Sequence, residues 1–110
     1  MQISSIDHRR SQRVVLGVGI TIRGITAGGE PINEAACTLD VNAHGALLPL
    51  AAGVELRQVL NVRHNQTAEE HFCTVARFSW NRAGRMEIGI EFVEPAPHFW
   101  QVASPPTDWL

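Results

Sequence analysis

Asp40-Val41-Asn42-Ala43-His44-Gly45-Ala46-Leu47-Leu48 places a polar turn, closed by a glycine, directly against an apolar run. Asp, Asn and Gly favour turns for separate reasons: short side chains that bond nearby backbone, and a backbone free of Cβ clashes. The turn is read over Asp40 to His44, and Gly45 opens a strand that runs from Ala46 to Leu50. Pro49 ends that strand early or places it at an edge. Upstream, Arg9-Arg10-Ser11-Gln12-Arg13 sets Arg9 and Arg13 four positions apart, with Arg10 between them.

Outward from the turn, period-two alternation dominates. Leu16, Val18, Ile20 and Ile22 recur every second residue, which puts them on one face of a strand. Ala27-Gly28-Gly29-Glu30 is a hairpin turn. A second strand follows from Ile32 to Leu39, with Ala35, Cys37 and Leu39 on one face. After Gly53, Val54, Leu56, Leu60 and Val62 share a face that Gln58 interrupts, as at a bulge or a barrel-end position. A fifth strand spans about His71 to Ser79. Cys73 and Val75 mark one of its faces; Phe72, Thr74, Ala76 and Phe78 mark the other. Asn81 to Gly84 is a turn, and Met86, Ile88, Ile90 and Phe92 then alternate cleanly. Pro95 and Pro97 stop the pattern. His98-Phe99-Trp100 reads as one helical turn that plugs the end of the fold with aromatic rings.

Six short strands and no helical stretch of useful length predict an all-β barrel or sandwich. The expected core is Leu16, Val18, Ile20, Leu47, Leu56, Leu60, Val75, Ile88, Ile90 and Phe92. At 110 residues the chain makes a single domain. It divides into a basic arm (1–13), the strands (14–94) and an aromatic, proline-rich end (95–110). The arm lacks apolar periodicity, so it is expected to be mobile until something binds it.

Several function classes are excluded or disfavoured. A net charge of −2 and few aromatics argue against nucleic acid. No window is long and apolar enough for a membrane span, and no export signal opens the chain. Cys37 and Cys73 lack Cys-x-x-Cys spacing, which suits buried, reduced thiols in a cytoplasmic protein. His71-x-Cys73 is the one tight pair of metal-ligating types, beside His64 and His98. It lacks a second pair at ligand spacing, so no metal or other cofactor is expected. No Ser/His/Asp set or phosphate loop is visible, so no enzyme activity is expected. Every fixed cation is arginine. A GC-rich genome would produce that bias, and so would a need for planar forks that grip phosphates and guanine edges.

The two stretches together resemble the signature of the bacterial PilZ domain: an Arg-x-x-x-Arg segment, then an Asp/Asn-x-Ser-x-x-Gly turn about one hairpin later. The closing strand Gly89-Ile90-Glu91-Phe92 also resembles that family's last strand. Asp40 and Gly45 match the turn, and Asn42 stands where the family has serine. The resemblance covers roughly Arg9 to Trp100. It implies a six-stranded antiparallel β-barrel with a short C-terminal helical turn, and a non-catalytic cytoplasmic receptor for cyclic di-GMP. Such a receptor relays its signal to a separate, unidentified protein.

The resemblance implies a ligand set of Arg9, Arg13, Asp40, Asn42 and Gly45; Arg10 and His44, which lie inside the same two stretches, are candidates beside them. Arginine can bond phosphate oxygens or the O6/N7 edge of guanine, and can stack on a purine. Alternatively, the arginines keep a terminus soluble. Asp40 can accept from the N1–H and N2 amine of guanine, or form an Asx-turn or a salt bridge to the arm. Asn42 can bond a guanine edge or fill the ligand's place. His44 can stack on a base or meet a phosphate, or be a solvated loop residue. Gly45 permits a positive φ or a close backbone approach. Loss of ligand binding, leaving a protein-interaction adaptor, is the alternative that Asn42 favours.

Overall fold

The computed structural model describes residues 11–109. Eight strands make one antiparallel sheet: β1 (Val14–Val15), β2 (Gly19–Ile25), β3 (Pro31–Cys37), β4 (Asp40–Asn42), β5 (Gly45–Pro49), β6 (Val59–His64), β7 (Glu70–Trp80) and β8 (Met86–Phe92). Their order across the sheet is β1-β4-β5-β8-β7-β6-β2-β3. No α-helix occurs among the described residues; a 3-10 turn, Thr107–Trp109, follows the sheet.

The all-β, antiparallel expectation holds, with two corrections. There are eight strands rather than six, because the added ladders at β1 and β4 are two and three residues long. Such segments carry too little alternation to register as strands. The second correction is that the hydrogen-bonded ladder does not close into a barrel: β1 and β3 are its edges. The chain itself crosses between those edges, through residues 16–18 and again through Thr38 and Leu39. Thr38, buried at 2% exposure, clasps the two crossings. Its hydroxyl accepts from the Val18 N–H at 2.8 Å and donates to the Leu16 carbonyl at 2.6 Å. Its own N–H donates to the Val18 carbonyl at 3.1 Å.

The core lies on the inner face of the curled sheet. Val18, Ile20, Ile22, Leu60, Val62, Cys73, Val75, Ile88, Ile90 and Phe92 are buried there, as alternation predicts. Each such side chain contributes roughly 1.5–3 kcal/mol by leaving water. Leu16 is half-buried against them. Leu47 and Leu56 are corrections. The β4–β5 pairing of Asn42 with Gly45 turns Ala46 and Leu48 inward, so Leu47 faces out. Leu56 is exposed because residues 54–58 form a turn rather than a strand, with Arg57 at φ 69°. Gln58 lies at a strand end, just before β6, rather than in a bulge; its side chain donates to the Ile25 carbonyl and accepts from the Glu55 N–H. The irregularity lies instead in β7, between Val75 and Arg77. The hairpin at Ala27 to Glu30 forms as expected, with the Thr26 N–H donating to the Glu30 carbonyl at 2.7 Å.

The C-terminal segment packs as part of the core. Phe99 and Trp100 sit in a turn and are sealed, with rings 4.8 Å apart and perpendicular. Phe92 stacks on Trp100, and His64 and His71 meet Phe99 edge-on. That cluster closes one end of the fold, as the aromatic spacing predicts.

Candidate functional site

The Asp40–Gly45 stretch is a tight hairpin rather than a five-residue turn. Asp40–Asn42 is strand, Ala43 and His44 make the bend, and Gly45 begins β5. Three bonds fix the bend. The His44 N–H donates to Asn42 Oδ1 at 2.9 Å, the Phe92 N–H donates to the His44 carbonyl at 2.6 Å, and the Ala96 N–H donates to the Ala43 carbonyl at 3.0 Å. Gly45 serves close approach and not a positive φ. A Cβ there would overlap the Ile90 carbonyl oxygen on the adjoining strand, so only glycine lets β5 lie this close to β8.

The arginine segment meets this hairpin through Ser11. Its hydroxyl, 2% exposed, accepts from the Ala43 N–H at 3.1 Å. Its carbonyl accepts from Asn42 Nδ2 at 3.3 Å. Gln12 is held by the C-terminal segment: its N–H donates to Asp108 Oδ2 at 2.9 Å, and its carbonyl accepts from Trp109 Nε1 at 2.7 Å. Trp100 Nε1 donates to the Asn42 carbonyl at 2.9 Å. The expectation of an unpinned arm is therefore corrected for residues 11–13. What pins them is polar and non-local, and apolar periodicity does not report it. Arg9 and Arg10 lie outside the described residues.

Strand register places the remaining groups. Val15, Asp40, Leu47, Gly89 and Arg77 are successive partners across β1, β4, β5, β8 and β7, and direct partners share a face. They form one row on the outer face. A neighbouring row holds Asn42, Gly45, Glu91 and Thr74. The Arg77 side chain lies over Gly89, its Cγ and Cζ 3.0 and 3.1 Å from where a Cβ would stand. Asp40 makes no side-chain hydrogen bond or ion pair among the described residues, and neither does Arg13, which is exposed just before β1. Asn42 differs: both ends of its amide are bonded within the fold. His44 is half-buried at the bend.

Asp40, Asn42, His44 and Gly45 come together because they are neighbours in the chain. Arg13 joins them because Ser11 and Gln12 are fixed on one side of it and β1 pairs with β4 on the other. The sequence offered no signal for Ser11 beyond its place inside the arginine segment, nor for Arg77.

Of the two thiols expected to be buried, Cys73 is, but Cys37 is exposed, because it pairs with Gly19 on the outer face of β3. His71 and Cys73 share the inner face, as their spacing predicts. His71 Nε2 is 2.8 Å from Glu69 Oε2. His64 is buried, and its Nδ1 accepts from the Gln66 and Thr67 N–H groups at 3.2 and 3.3 Å. Burial pushes the Cys73 thiol up to about 12 from 9.0, the opposite of an activated nucleophile. No cluster of three metal-ligating side chains occurs among the described residues. No helix among them is long and apolar enough to cross a membrane.

No family model and no curated protein matches the sequence. Solved structures do match the fold. YcgR from Escherichia coli, in complex with c-di-GMP, superposes with a TM-score of 0.59 at 14% identity, over 86% of this chain and 42% of that one. The Bacillus subtilis inhibitor of motility MotI/DgrA superposes at 0.56 with 18% identity, over 86% of this chain and 47% of that one. The chain thus spans less than half the length of either structure. With Ser11 bonded to the hairpin and these likenesses beside it, the fold of this chain is PilZ-like.

Proposed function

We propose that this domain is a non-catalytic receptor for cyclic di-GMP that passes the signal to a partner protein. One observation carries the reading: Ser11 bonds both Asn42 and the Ala43 N–H. The arginine segment and the hairpin, 27 residues apart in the chain between Arg13 and Asp40, thereby form one surface. On it stand an unpaired guanidinium, Arg13, and a carboxylate, Asp40, with no bonded partner among the described residues. A cyclic dinucleotide of guanine presents complementary groups: phosphate oxygens for arginine, and N1–H and N2 donors for a carboxylate. Arg9 and Arg10 supply further cations to the same ligand, and His44 and Gly45 border it. The PilZ-like neighbour solved with c-di-GMP supports the choice of nucleotide.

A second reading has an observation of its own. The Asn42 amide spends its acceptor on the His44 N–H and its donor on the Ser11 carbonyl. The position where the family has a serine hydroxyl is thus internally satisfied, as in an adaptor that no longer takes the ligand. Calorimetric titration with cyclic di-GMP, against cyclic di-AMP as control, decides between them. Heat with the first nucleotide alone supports the receptor; no heat with either at high concentration supports the adaptor.

A further inference from the structure

The tip of the β7–β8 hairpin combines three features that the proposed nucleotide site does not use. The first is charge. Residues 76–86 hold Arg77, Arg82 and Arg85 and no carboxylate, in a chain whose net charge is −2. None of the three makes an ion pair among the described residues. The second is an apolar surface. Phe78 and Trp80 pair in register with Ile88 and Met86, so they lie on the core-facing side of the sheet, yet both are exposed at its margin. Trp80 is 68% exposed, whereas Trp100 and Trp109 are buried. The third is an open strand edge. β6 accompanies β7 only as far as Thr74, and the turn at Arg57 and Gln58 bonds Val75. From Arg77 to Trp80, β7 pairs with β8 alone among the described residues.

The tip is also closed by hydrogen bonds of its own. Asn81 Oδ1 accepts from the Ala83 and Arg85 N–H groups at 2.9 and 3.0 Å, and the Asn81 and Gly84 N–H groups close the loop at 3.0 Å each. A loop closed in this way presents the arginines beside the open edge with less ordering left to do on binding.

We infer that this tip docks an extended, acidic segment of a partner protein by adding it as a strand along β7. An open edge supplies main-chain bonds to an incoming strand, and alternate side chains of that strand select it. Apolar side chains of the segment lie beside Phe78 and Trp80, and its carboxylates meet Arg82 and Arg85. Trp and Arg are the residue types that most often dominate such contacts. Charge excludes residues 1–10 of this chain as the occupant: Arg9 and Arg10 outnumber the single Asp7. An anionic bilayer would also attract tryptophan and arginine, but it has no use for an open strand edge. The inference stands whether or not the nucleotide binds.

Amide NMR of the protein titrated with an acetylated peptide of alternating Glu and Val tests this. The amides of Arg77 to Trp80 and the Trp80 indole should shift. The double variant Arg82→Glu/Arg85→Glu should bind at least tenfold more weakly, as should Trp80→Ala. Methylating alternate backbone nitrogens of the peptide should abolish binding. Asp40→Ala, altered in the proposed nucleotide site, should bind the peptide as wild type does, so the two readings fail separately. Equal binding of a Lys/Val peptide overturns the inference. So do shifts centred elsewhere, peptide binding lost in Asp40→Ala, no peptide binding at millimolar concentration, or capture by phosphatidylglycerol vesicles in place of the peptide.

Discussion

Asn42 Nδ2 donates to the Ser11 carbonyl at 3.3 Å, and this bond joins the two halves of the candidate site. The same side chain accepts from the His44 N–H at 2.9 Å, so one amide both shapes the hairpin and tethers the arginine segment. Serine, one atom shorter and with a single hydroxyl, can supply the first bond in a local turn but does not reach as far for the second.

Asn42→Ala removes both bonds. At 0.5–1.5 kcal/mol for each, unfolding free energy should fall by about 1–3 kcal/mol in urea denaturation. Asn42→Ser should cost less than this and should tighten cyclic di-GMP binding in calorimetry, because the place of the amide is vacated. Unchanged affinity in Asn42→Ser would show that position 42 does not limit binding.

Gly45→Ala tests the packing beneath the hairpin. The added methyl meets the Ile90 carbonyl, which belongs to a central strand and has no rotamer to escape into. Overpacking against a backbone of this kind should destabilise the fold by about 3 kcal/mol. A thermal melt within a degree of wild type would mean that β5 and β8 can separate without cost.

Cys73 gives the fold an alkaline limit. Its thiol, 9.0 in the unfolded chain, is raised to about 12 by burial in the folded one. The folded state therefore keeps a proton that the unfolded state loses between those values. The stability linked to that proton is complete below pH 9 and is lost as pH rises toward 12, by on the order of 4 kcal/mol. The chain contains no tyrosine and no lysine, so few other groups titrate in this window. Urea midpoints measured from pH 7 to 11.5 should stay level to about pH 9 and then decline. Cys73→Ala should be less stable at neutral pH but nearly flat across the same range. A decline as steep in the alanine variant would place the cause elsewhere.

Strands with long alternation were legible from sequence: β2 through Ile20 and Ile22, and β8 through Ile88, Ile90 and Phe92. Leu47 and Leu48 show where alternation stops helping. Both are leucine, so hydrophobicity cannot say which faces inward; the Asn42 and Gly45 pairing decides it. Leu56 fits the apolar pattern of β6, but the positive φ at Arg57 turns it out of the sheet. Thr38 and Ser11 were silent because their partners lie at least 20 residues away. A polar residue announces its role only through such partners. The hairpin half of the candidate site was readable because its members are consecutive. The way the arginine segment is fastened to it was not.

Arg13 is the described residue that best separates a binding surface from a solubilising terminus. It is exposed and makes no bond or ion pair among the described residues, so Arg13→Ala should change folding stability by no more than about 0.5 kcal/mol. Its neighbours Ser11 and Gln12 are already fixed to Ala43, Asn42, Asp108 and Trp109. The backbone cost of placing it, about 1–2 kcal/mol per residue, is thus largely met before any ligand arrives. A charge-assisted bond from a placed guanidinium then contributes roughly 1.5–3 kcal/mol to binding, which is about ten- to hundredfold in affinity. Arg13→Ala should weaken cyclic di-GMP by that factor with the melting temperature unchanged. Ser11→Ala should do part of the same harm indirectly, by loosening the segment at Ala43 while keeping its charge, and should also lower stability. If Arg13→Ala binds like wild type while Ser11→Ala merely melts earlier, the segment is a structural strap and its arginines serve solubility.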